Sequence, residues 1–231
     1  MAATCSAFAA EPVEYDATIG DTGSSQISSG NGAVTLSDEE GVSPTGALNS
    51  WAITFTVSAL NLSSPNAYKP VISCGYSAST AKGLTFGVKG DTNGYTLSLC
   101  TASGDELSGS LTLTVDETYF FAYNSTTNTA YAGLAGGGSL DNMISCVVSN
   151  DMVKTLTSGT SRAWTGGGTF TTTLVSGYDM TALSETEFAN VMSNLAISGV
   201  VSTAAPAVPE PATATLSLLA LAGLCARRRR K

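Results

Sequence analysis

The residues of this chain best placed for a chemical event lie at its end. Val208-Pro209-Glu210-Pro211 is followed by Ala212 to Ala226, which carry no charge, and then by Arg227-Arg228-Arg229-Arg230-Lys231. Fifteen residues at 1.5 Å each make roughly 22 Å of helix, short of the ~30 Å hydrocarbon core of a bilayer. Arginines resist translocation and stay on the cytoplasmic side, so the cluster would stop the chain in a membrane with the body outside. Pro209 and Pro211 keep the preceding segment extended and out of the helix. An extended peptide just outside a weak membrane stop is a substrate for a processing protease. The chemistry expected at this end is hydrolysis done to the chain, not by it.

The body offers much less. It has no histidine, which excludes a His-based triad. Glycoside hydrolysis needs two positioned carboxylates, and no strand carries acids in an alternating pattern. Asp38-Glu39-Glu40 are consecutive, so neighbours would point oppositely; Asp105-Glu106 and Asp116-Glu117 fall in expected turns. They are read as solvated turn acids, and no catalytic residue is assigned. The five cysteines, Cys5, Cys74, Cys100, Cys146 and Cys225, include no CxxC pair, so no zinc site is expected. Cys5 and Cys225 lie in the terminal segments. A Cys74–Cys100 disulfide and buried reduced thiols are both open readings of the other three. Asp91 and Asn93 form a D-x-N-G fragment that could contribute to a calcium site, but the rest of an EF-hand loop is missing and the fragment also suits a hairpin turn. No cofactor is expected beyond that calcium option. Trp164, in the polar run Arg162-Ala163-Trp164-Thr165-Gly166, is either a ligand contact stacking on a sugar face or a packed loop anchor.

Charge narrows the partners. Five of the ten Lys and Arg are the last five residues; the 226 before them carry 5 basic against 18 acidic groups, a net of −13. Such a body does not attract nucleic acid, whose affinity comes mainly from Lys and Arg on phosphates. At the start, Ala7-Phe8-Ala9 has the small-x-small form of a signal-peptidase site, with acid beginning at Glu11, but too little chain precedes it for a complete signal peptide. A clipped signal peptide and a disordered terminus both fit.

The elements that must carry these residues are mostly strands. Trp51, Ile53, Phe55 and Val57 alternate with Thr54 and Thr56, the pattern of a strand with one face in a core. Val71 to Cys74 is a short apolar strand. Leu84 to Val88 and Tyr95 to Leu99 flank Asn93-Gly94, a hairpin signal. Leu111, Leu113 and Val115 alternate; Tyr119 to Tyr123 and Thr129 to Leu134 form another expected pair; Phe170 to Val175 is a late strand. An edge strand is expected around Ala33 to Leu36, and loops at Ala135 to Ser139 and Trp164 to Gly168. A single helix is expected over 185–194: Ser184-Glu185-Thr186-Glu187 is a capping box, Leu183 and Phe188 a hydrophobic staple, and Phe188, Val191, Met192 and Leu195 share one face. The fold class is all-β, an antiparallel β-sandwich with one short helix plus a short C-terminal hydrophobic helix.

Two resemblances follow from these residues. Pro209-Glu210-Pro211, Thr213 to Ala226 and Arg227 to Arg230 together resemble the PEP-CTERM sorting signal of Gram-negative bacteria. The resemblance implies recognition by an exosortase, removal of the tail, and a protein of the cell surface, outer envelope or extracellular matrix, with transient or permanent inner-membrane anchoring through the tail. Trp51 to Val57, Leu84 to Leu99, Val115 to Tyr123, Tyr131-Ala132-Gly133 and Thr181 to Phe188 resemble the LamG-like, concanavalin A-like jelly roll. The departure is at Tyr119 and Phe121, where that family usually has Trp and His. The resemblance implies a jelly roll acting as a non-catalytic carbohydrate- or protein-binding module. A structural surface or biofilm matrix protein without specific ligand, and a divergent glycoside hydrolase, are the alternatives. The organisation expected is 1–10 as a signal-peptide remnant, 11–200 as the sandwich, 201–208 as a linker and 209–231 as the sorting and anchor tail.

Overall fold

The computed structural model describes residues 10–20, 26–27, 32–62, 68–75, 83–91, 94–159, 162–163 and 168–206. In chain order the strands are β1 (Val13–Gly20), β2 (Gln26–Ile27), β3 (Gly32–Ser37), β4 (Trp51–Leu62), β5 (Lys69–Ser73), β6 (Leu84–Asp91), β7 (Gly94–Thr101), β8 (Glu106–Leu113), β9 (Thr118–Asn124), β10 (Thr129–Leu134), β11 (Met143–Val147), β12 (Arg162–Ala163) and β13 (Gly168–Asp179). One helix, α1 (Glu185–Ser198), follows.

Among the described residues these strands form one sheet in the order β11-β10-β9-β4-β13-β1-β3-β12-β5-β6-β7-β8, with β2 on β13. Every pairing between named strands is antiparallel. The sheet coils until its ends meet, β11 lying against β8. It therefore folds into two layers over one core, the antiparallel sandwich that the alternation pattern calls for.

The core is where the alternation places it. Trp51, Ile53, Phe55 and Val57 are fully buried, while Thr54 and Thr56 are half-buried on the outer face. Phe55 of β4 meets Phe86 of β6 edge-on at 5.3 Å between ring centroids, and Phe121 of β9 meets Trp51 at 4.8 Å and Phe86 at 6.1 Å. These contacts bridge the layer containing β4 and β9 to the layer containing β6. Burying each such ring stabilises the fold by roughly 1.5–3 kcal/mol. The indole of Trp51 donates to the Lys154 carbonyl at 2.8 Å, so its one polar atom is satisfied inside the core.

Several expectations need correction. Ala33 to Leu36 form part of β3, which is not an edge: it pairs with β1 on one side and β12 on the other. The signal for its partner β1 was present and unread: Val13, Tyr15, Ala17 and Ile19 alternate with exposed Glu14, Asp16 and Thr18. β1 also corrects the expectation that no strand carries alternating acids, since Glu14 and Asp16 share its outer face. The late strand is longer than expected, running to Asp179. It bulges between Thr173 and Ser176, whose partners on β4 are Thr56 and Thr54. Leu174 sits in the bulge at φ 49° with its side chain 81% exposed. Among the described residues α1 is the one α-helix, beside a single 3-10 turn at Leu140–Asn142, and it runs four residues past the expected end. The short hydrophobic helix expected over Thr213 to Ala226 lies outside the described residues.

A candidate site where the two chain ends meet

Helix α1 is built by its cap. The Ser184 hydroxyl accepts from the Glu187 N–H at 3.3 Å, and a Glu187 carboxylate oxygen, Oε2, accepts from the Ser184 N–H at 2.8 Å. This reciprocal pair satisfies two of the free N–H groups at the helix start. The apolar face then docks on the outside of the sheet. Phe188, Val191, Met192 and Leu195 form a second buried cluster with Ala52 of β4, Phe120 and Ala122 of β9, and Tyr178 of β13. Leu183 joins it, so the staple expected with Phe188 is in place.

The far end of α1 closes differently. Gly199 takes the left-handed conformation, φ 73°, and its N–H reaches the carbonyls of Asn194 and Leu195. A side chain there would be strained by φ and would press on Gly136, whose nitrogen stands 3.3 Å from the position of an added Cβ. The loop Ala135–Ser139 supplies further donors: Gly136 N–H to the Leu195 carbonyl at 2.8 Å and Gly138 N–H to the Ile197 carbonyl at 3.0 Å.

Beyond Gly199 the chain turns back along α1. The Asn194 side-chain amide donates to the carbonyls of Ser202 and Ala204, at 2.9 and 2.8 Å. The Asn190 amide donates to the Thr203 carbonyl at 2.9 Å. Val201 packs against the second cluster, and Thr203 is buried. Residues 201–204 are thus a strap held by two asparagines. Residues 10 and 11 arrive at the same place. The Thr203 hydroxyl donates to a Glu11 carboxylate oxygen at 2.9 Å, and the Ala10 N–H donates to Glu187 Oε1 at 3.2 Å. Hydrogen bonds from the Ser184 hydroxyl and N–H, and then from Ala10, hold the Glu187 carboxyl below the usual carboxylate range.

The sequence-expected site residues fall mostly elsewhere. Pro209, Glu210, Pro211 and the Arg227, Arg228, Arg229, Arg230 cluster lie outside the described residues. So do Trp164 and Asn93. Asp91 ends β6 opposite Gly94, and its side chain lies outside what is described. Among the described residues no group of three or more Cys, Asp or Glu could hold a metal ion.

Asp38, Asp105, Asp116 and Glu117 lie outside the strands as expected, whereas Glu106, expected in a turn, opens β8 and pairs with Cys100. Asp38 accepts from the N–H groups of Glu40 and Val42, and Asp105 accepts from the hydroxyls of Ser103 and Thr101. A cleft of about 310 Å³ is lined by Leu111, Thr112, Thr114, Glu117, Tyr119, Leu134 and Asn142. Its polar groups are largely committed: the Tyr119 phenol oxygen accepts from the Thr114 N–H at 2.7 Å, and the Asn142 amide donates to the Gly137 carbonyl at 2.8 Å. Among the described residues Glu117 is the carboxylate that lines the cleft.

The three described cysteines, Cys74, Cys100 and Cys146, are free thiols, which corrects the Cys74–Cys100 option. Cys74 follows β5 on the core face, next to Leu84. Cys100 pairs with Thr85 on β7, whereas the core-facing residues of that strand are Leu97 and Leu99. The two therefore point to opposite faces of strands separated by β6.

Sequence comparison identifies one segment: residues 207–231 match the family model of the PEP-CTERM protein-sorting motif. That signal implies export, processing by an exosortase and association with the cell envelope. No curated protein matches the sequence. Among solved structures the chain is similar to arcelin-5, a lectin-like defence protein from Phaseolus vulgaris, with 8% identity over 73% of this chain and 98% of that one and a TM-score of 0.42. Peanut lectin with a nine-residue peptide gives 10% identity over 73% and 97%, TM-score 0.38. The enzymatically active domain of tailspike protein 2 of bacteriophage CBA120 gives 12% identity over 71% and 29%, TM-score 0.31. Scores this low bear on neither ligand nor activity.

Proposed function

We infer that the chain is an exported, non-catalytic surface or matrix protein whose body is delivered by its tail and acts as a carbohydrate- or protein-binding module. The observation that carries this reading is the order Pro209-Glu210-Pro211, uncharged stretch, Arg227 to Arg230, at the end of an acidic body. The hold of α1 on residues 202–204 supports it. Among the described residues Ala204 carries the last carbonyl held by α1, and eight residues lead from it to Ala212. At ~3.4 Å per residue that tether spans at most about 27 Å. The sandwich therefore stands close to the membrane before processing, with the Pro-Glu-Pro peptide between the two. Each part has a role. The prolines keep the peptide open to the protease, the uncharged stretch inserts, and the arginines hold it from the cytoplasmic side. Cleavage frees the body from the membrane. A ligand-free structural role in the matrix is the alternative; a flat glycan array together with self-assembly of the processed form would favour it.

The reading is tested by replacing Pro209, Glu210 and Pro211 together with alanine in a host that carries a matching exosortase. The expected result is export without processing: the variant stays in the membrane fraction at full length while the wild type leaves it. Equal processing of both would contradict the assignment. Hydrolysis of a polysaccharide by the purified protein, lost on replacing a single carboxylate, would contradict the non-catalytic role.

A further inference from the structure

The contact between Ala10 and Glu187 has a chemical implication that the tail does not share. Ala10 lies next to Ala9, and Ala7-Phe8-Ala9 places small residues one and three positions before the Ala9–Ala10 bond. A cut one residue later would put Phe8 in the third position. Signal peptidases read small residues at those two places. The nitrogen that such a cut would release is the one already within 3.2 Å of Glu187 Oε1. The methyl group of Ala10 packs against the second cluster beneath α1. The surroundings suit a cation: Glu11 and Glu187 are at the contact, Glu185 is in the first turn of α1, and Glu14 accepts from the Tyr178 hydroxyl at the edge of the same cluster. Neither α1 nor residues 199–206 contain a Lys or Arg.

We propose that a signal peptidase cuts the Ala9–Ala10 bond and that the new α-ammonium of Ala10 docks on Glu187 as part of the cap of α1. In the cut, water adds across the peptide bond. Its oxygen joins the Ala9 carbonyl, which leaves with the leader as a carboxylate; the amine on Ala10 takes up the proton and becomes an ammonium. A backbone N–H donating to a carboxylate is thereby converted to an ion pair in which both partners are charged. Because Glu11, the next residue, holds Thr203 of the strap, the processed N-terminus and the root of the sorting tail share one anchoring point. This proposal rests on the export reading.

The test uses the precursor joined to an upstream export leader that has no cleavage site of its own. The exported product is analysed by N-terminal peptide mass, and its α-amine is then titrated by NMR after reductive methylation with ¹³C-formaldehyde. The expected product begins at Ala10, with the amine titrating about half a unit or more above the ordinary range of about 7.7–8.0, and back in that range in Glu187→Gln. An exported product that begins elsewhere overturns this proposal alone. A product that begins at Ala10 with an ordinary amine pKa in the wild type overturns the docking, whatever the variant does. A protein kept inside the cell with an uncut start overturns both this proposal and the export reading.

Discussion

At the scale of single residues, position keeps Cys74 and Cys100 apart. β5 and β7 flank β6, and two inter-strand spacings of about 4.8 Å exceed the ~7 Å Cα separation beyond which a disulfide cannot close. Burial raises all three thiol pKa values: Cys74 by desolvation alone, Cys146 by the same cause to a lesser extent, and Cys100 by desolvation above all, up to about 12. The thiolate is the reactive form, and a raised pKa lowers its fraction at every pH below that value. Iodoacetamide at pH 8.5 is therefore expected to leave Cys74 and Cys100 of the native exported protein unlabelled and to label half-buried Cys146 slowly. All three should react alike after denaturation, as peptide mapping would read out. Rapid labelling of Cys100 in the native protein, or a Cys74–Cys100 linked peptide, would contradict the placement. Sequence could not decide this, because it depends on which face of the sheet each cysteine takes.

At the scale of elements, the strap and α1 act together. Asn194 is 9% exposed and its amide serves two strap carbonyls. The two carbonyls belong to half-buried Ser202 and exposed Ala204, so each hydrogen bond is worth its net contribution of roughly 0.5–1.5 kcal/mol. Asn194→Ala is expected to lower the thermal midpoint and to open residues 200–206 to nonspecific proteolysis while the sheet stays intact. An unchanged midpoint and unchanged cleavage would show that the strap is not held this way. The helix was legible from Ser184, Glu187 and the spacing of Phe188, Val191, Met192 and Leu195, since caps and helical periodicity are local signals. The strap was not. Residues 201–208 read as a small-residue linker, and nothing local shows that Asn190 and Asn194 will grip them. Most strands followed the same rule: β4, β6, β7, β9 and β10 announce themselves by alternation or turn chemistry. β1 carries that alternation too, Val13, Tyr15, Ala17 and Ile19 against Glu14, Asp16 and Thr18, and went unread, whereas β11 is five residues long with adjacent Met143 and Ile144 and no alternation to read.

At the scale of the molecule, both termini of the body converge on one end of α1, linking residues 177 and 192 positions apart in sequence. No periodicity can reveal a pairing of that separation. The tail is the opposite case. Its order of proline, acid, uncharged run and arginines is a linear signal, read by a protease and a membrane without any folded context, so sequence alone exposes it fully. The acidic body and basic end also divide the chain by charge, and processing near Pro209 would leave the acidic part alone. The direct measurement is the intact mass of the protein exported by a host with a matching exosortase. A product whose C-terminus lies near Pro209, without Arg227 to Lys231, is what this account predicts. A product that keeps Lys231 and stays in the membrane would make Ala212 to Ala226 a permanent anchor and contradict it.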